Sequence, residues 1–159
     1  MTNIDIKKDR LRYTKNTTSA TLAYLAILFN VFYFVSIYNS DVGNFYYDKL
    51  TSGLSVICNL LFLLFTFLAS EGVKNYKMSF NFVLLFLGGF QIVRLFGTPH
   101  TAHTTQIILN NEQITVMSDK QYAWVCICLI ISAFACFASA GIGMYKSTVL
   151  RNYEKQLGN

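Results

Sequence analysis

The chain has 159 residues, enough for one domain; 53% are hydrophobic, 13% are charged, and the mean hydropathy is +0.40. A soluble domain carries about 25% charged residues and cannot bury this much apolar surface in its own core, so lipid is the expected solvent. The net charge of +5 comes from cations gathered at the ends of apolar runs, a pattern that fits membrane topology and excludes a phosphate-tracking nucleic-acid surface.

Residues 1–19 form a basic juxtamembrane segment with Lys7, Lys8, Arg10, Arg12 and Lys15. Its Asn16-Thr17-Thr18 sequon is expected to stay unmodified on the cytoplasmic side. The first apolar run begins only at Ala20 and is followed by no cleavage-type gap, so insertion by the spans themselves is expected. Spans are predicted at 20–38, 50–70, 80–96 and 122–144, with a tail over 145–159. Ten of the thirteen basic residues fall in the N-terminal segment, the turn holding Lys74 and Lys77, and the tail holding Lys146, Arg151 and Lys155. That bias puts both ends in the cytoplasm of a multi-pass protein of the plasma (inner) membrane. Tyr33, Tyr38, Tyr122 and Trp124 are read as part of an outer aromatic belt, Tyr24, Tyr76 and Tyr145 as an inner one.

The outer loop over 97–121 carries two alternating runs around Asn110-Asn111, read as a hairpin over 105–116 with Ile107 facing Ile114 and Thr105 facing Val116. The expected fold is therefore an all-α integral membrane protein: a four-transmembrane-helix bundle with a short extracytoplasmic β-hairpin between helices 3 and 4.

The fourth span is the one the others are expected to organise around. It is 23 residues without a charge, roughly 34 Å of helix, and Ser132, Ala135, Cys136, Ser139, Ala140 and Gly143 make one small-residue stripe along it. Asn30, Asn59 and Gln91 lie inside the other spans and are read as interhelical glue at a packing or partner interface, because a coupled-ion path would call for an intramembrane carboxylate and no span has one.

Arg94 is expected to snorkel to the outer interface; the alternatives are an ion pair with Asp41, Asp48, Glu112 or Asp119, or contact with an anion or lipid headgroup. His100 and His103 form an H-x-x-H that the neighbouring Pro99 places in a solvated loop, where two ligands fall short of the three or four zinc needs. Cys58, Cys126, Cys128 and Cys136 all lie in spans and read as apolar fillers.

No enzyme motif is present, and neither metal nor cofactor is expected. The functional expectation is a non-catalytic polytopic membrane protein, an accessory or scaffolding subunit of a larger membrane transport complex. Its expected partners are lipids and other integral subunits, or a second copy of itself. A homo-oligomeric channel or carrier for a small solute, lined by Asn59, Thr66 and Gln91, is the alternative; a haem- or lipid-binding membrane enzyme subunit is the remote one.

Overall fold

A computed structural model describes residues 15–38, 49–104, 106–109, 112–115 and 117–157. Its elements are α1 (Thr17–Tyr38), α2 (Lys49–Lys74), α3 (Met78–Leu95), α4 (Thr98–Thr104), β1 (Gln106–Leu109), β2 (Glu112–Thr115) and α5 (Asp119–Leu157). Four of the helical segments are long and apolar enough to cross a membrane. The protein is a multi-pass membrane protein built as a four-helix bundle.

Each span buries a stripe at alternating steps of three and four residues. On α1 the buried positions include Ser19, Ala23, Ala26, Asn30, Tyr33 and Ile37; on α2 they include Asn59, Phe62, Thr66, Ala69 and Val73. That spacing averages 3.5 residues and keeps one seam of a helix against its neighbours over its whole length. Half of the α5 span is buried against about a third for each of the others, because α5 packs along both α1 and α3 while α2 closes the bundle on their far side.

The seam between α1 and α5 is made of small side chains. Ser19 and Ser139 exchange hydrogen bonds, the Ser139 hydroxyl donating to the Ser19 carbonyl at 2.7 Å and the Ser19 hydroxyl to the Ser139 carbonyl. Further along, the Ser132 hydroxyl donates to the Ala26 carbonyl at 2.9 Å. Each bond needs close backbones, and the alanines at 23, 26, 135 and 140 permit that approach. On the other side of α5, Gly88 of α3 lies beneath Phe137, and a methyl added at Gly143 would overlap Asn81 and Val73.

The helix ends follow local chemistry. Asn16 caps α1, its side-chain oxygen accepting from the Ser19 N–H at 3.4 Å, and its own N–H bonds the Lys74 carbonyl at 3.0 Å, tying the start of α1 to the end of α2. At the end of α2, Tyr76 takes φ 58° while the N–H of Lys77 reaches the Gly72 carbonyl and that of Tyr76 the Val73 carbonyl. This is the Schellman arrangement with tyrosine where glycine is usual.

Several expectations need correcting. The fold class is the four-helix bundle alone: no described strand enters it. β1 and β2 are four residues each, paired antiparallel with Ile107 opposite Ile114, too short to add a sheet layer. The connection between α3 and α5 begins as helix, not loop. Pro99 sits in the first turn of α4, where its missing N–H costs nothing, and Ala102 of α4 joins Met117 in covering Tyr33, Ile37, Val125, Cys128 and Leu129. The tail is helical too, since α5 runs 39 residues, about 58 Å, well past the bilayer thickness. Tyr33 belongs to the interior, not to an outer belt. Residues 1–14, the segment 39–48 with Asp41 and Asp48, the Asn110-Asn111 turn and the Thr105/Val116 pair lie outside the described residues.

Candidate functional site

In the half of the bundle nearer α4, three helices aim polar side chains at one guanidinium. Arg94, in the last turn of α3, donates from Nη1 to Asn30 Oδ1 and Gln91 Oε1 and from Nη2 to Asn59 Oδ1, each at 2.9 Å. Gln91 Nε2 donates to Asn30 Oδ1 at 2.9 Å and to Ser132 Oγ at 3.0 Å; Asn30 Nδ2 donates to Asn59 Oδ1 at 3.0 Å. Since Ser132 passes its own proton to the Ala26 carbonyl, the network joins all four spans.

The amide orientations are set by this wiring. Asn59 Oδ1 accepts from both Arg94 and Asn30, and Asn30 Oδ1 from both Arg94 and Gln91; turning either amide would set N–H against N–H. All three amide oxygens thereby face the cation and replace part of its water shell. The Tyr33 ring adds a cation–π contact, its centroid 4.5 Å from Arg94 Cζ, and Phe90 contributes at 5.9 Å. The arginine does not snorkel. A bare arginine at the middle of a span costs roughly 2.5–3.5 kcal/mol on insertion scales, and three carbonyl dipoles with a ring face offset much of that without an acid.

Donors remain in surplus. Asn59 is 1% exposed, and its Nδ2 has no partner. The guanidinium makes the cluster a positive, hydrogen-bond-donating centre in a medium of low dielectric. Such a centre repels cations and attracts anionic groups.

The other sequence-derived positions separate from it. The stripe Ser132, Ala135, Cys136, Ser139, Ala140 and Gly143 is buried within the chain against α1 and α3, and only Ser132 reaches the arginine network. The alternative Arg94–Asp119 pair does not form: Asp119 Oδ1 instead accepts from His103 Nε2 at 2.9 Å, and the His103 ring stacks on Tyr122 at 4.4 Å. His100 is exposed on the same short helix. Among the described residues no three His, Cys, Asp or Glu side chains converge as a metal site would need, and all four cysteines are free thiols.

Sequence reasoning found Asn30, Asn59 and Gln91 but sent Arg94 the wrong way and missed Tyr33. A signal was available in the spacing: Gln91 to Arg94 and Asn30 to Tyr33 are both i, i+3 steps, so each pair shares a helix face. No family model, curated protein or solved structure matches the chain, so its chemistry is read from this geometry.

Proposed function

We propose that this protein is a non-catalytic accessory or scaffolding subunit of a larger membrane assembly, seated in the plasma membrane with both chain ends in the cytoplasm. The supporting observation is how the polar groups of the spans are used. Asn30, Asn59, Gln91, Ser132, Ser19 and Ser139 bond across helices to one another or to backbone, so the interior is crosslinked as a rigid frame. Outward, α2 and α3 present Leu54, Ile57, Leu64, Phe82, Phe86 and Val93 to lipid or to neighbouring spans. The cation bias of the sequence supports the orientation.

Extraction of the tagged protein from its native membrane in mild detergent tests this reading. Stoichiometric recovery of other integral subunits is the expected result; a lone symmetric oligomer that conducts in proteoliposomes would replace it with a second reading. That reading is a homo-oligomeric carrier of a small anion, and it is favoured by the Arg94 guanidinium beside the unpartnered Asn59 Nδ2.

A further inference from the structure

At the opposite end of the bundle from Arg94, where α2 turns into α3 and α5 leaves the membrane, a cavity of about 500 Å³ opens between the Tyr76 turn and the α5 extension. Met78 and Leu150 supply apolar lining and Arg151 and Lys155 supply charge, while the Ser147 hydroxyl, donating to the Tyr76 carbonyl at 3.3 Å, ties the α5 extension to the Tyr76 turn. Among the described residues the lining holds two cations and no acid. Arg151 and Lys155 are four apart on one helix and therefore stand one above the other on the same face.

The start of α3 adds to the field there. No side chain caps this 18-residue helix and its first turn has no acid, so the positive end of the helix dipole lies at Met78, on the edge of the cavity. Met78 begins one span and Met144, one turn before Ser147, closes the apolar part of another, which sets the cavity at headgroup depth.

We propose that this cavity binds a phosphate group, with Arg151 and Lys155 pairing its oxygens. The apolar lining of Met78 and Leu150 fits the glycerol and first methylenes of an anionic phospholipid better than a free phosphate ester. This site is independent of the Arg94 cluster and of the accessory-subunit reading.

Native mass spectrometry of the full chain, released from detergent containing phosphatidylglycerol or phosphatidylcholine, is the test, with soluble glycerol phosphate as a third arm. Phosphatidylglycerol is expected to be retained, with Arg151→Ala and Lys155→Ala each weakening retention about fivefold, the share of roughly one surface cation. Lys146→Ala, whose amine reaches Thr18 and not the cavity, should change retention little. Retention of glycerol phosphate to the same degree would keep the phosphate site and reject the lipid as its source. Equal retention of both lipids, or an equal loss in all three variants, would overturn the site. Arg151→Ala and Lys155→Ala alter exposed side chains, and an unchanged melting temperature would confirm that folding is intact.

Discussion

The two seams that α1 makes hold by different physics. Against α5 it lays down serines and alanines, the backbones come close, and hydroxyls bond carbonyls of the facing helix. Facing α2 and α3 it offers Asn30 and Tyr33, long enough to reach across the bundle and surround a charge. The first seam is limited by volume, the second by electrostatics. In lipid, where burial of apolar surface gives no drive between helices, a bundle needs close packing or polar bonds, and this one separates the two along its length.

Volume should break the first seam most severely. Ser139→Phe puts an aromatic ring where two serines exchange bonds, and a loss of about 3 kcal/mol or more is expected, read as a lowered melting temperature and aggregation on size exclusion in detergent. Normal monodispersity would mean that the helices are not in close contact at Ser139. The second seam should respond to charge compensation rather than size. Asn59→Leu removes the acceptor for both Arg94 and Asn30 and is expected to cost about 1–3 kcal/mol, whereas Arg94→Leu with Asn59→Leu should recover part of it because the Nη2 donor that lost its acceptor is gone. A double-mutant cycle with zero coupling would show that the guanidinium does not depend on that amide.

Smaller effects sharpen the contrast at the ends. His103→Ala loses the Asp119 bond and the Tyr122 stack at an exposed site and should cost under about 1 kcal/mol, with faster hydrogen exchange confined to α4 and the start of α5. Spread of that exchange into Asn30 or Arg94 would show that the α4 cover is coupled to the polar seam. Tyr76→Gly relieves a left-handed tyrosine and should stabilise by at most about 1 kcal/mol in a thermal melt, reduced by whatever the ring contributes at the cavity. A destabilised variant would mean that the ring's contacts outweigh the backbone strain.

Much of the architecture was legible along the chain, because a span must be apolar for about twenty residues whatever its neighbours do. The central role of the last span was readable for a similar reason: Ser132, Ser139 and Gly143 fall on one stripe by helix geometry alone. The destination of Arg94 was not. Outward extension and inward rotation are both within reach of a flexible side chain, and the choice between them depends on acceptors at Asn30 and Asn59, which are 64 and 35 positions away. Pro99 misled in a comparable way, since proline both ends helices and begins them.

The sequence by itself determined the solvent of this protein, the number of its crossings and the faces along which helices could approach, since each follows from local apolarity and the helical repeat. Only the tertiary structure decided that a lone cation would lie among three amides and a tyrosine ring, and that basic residues of the α5 extension would line a cavity with the Tyr76 turn. Those outcomes depend on distances between helices, and such distances are set by packing of remote segments rather than by any one stretch of chain.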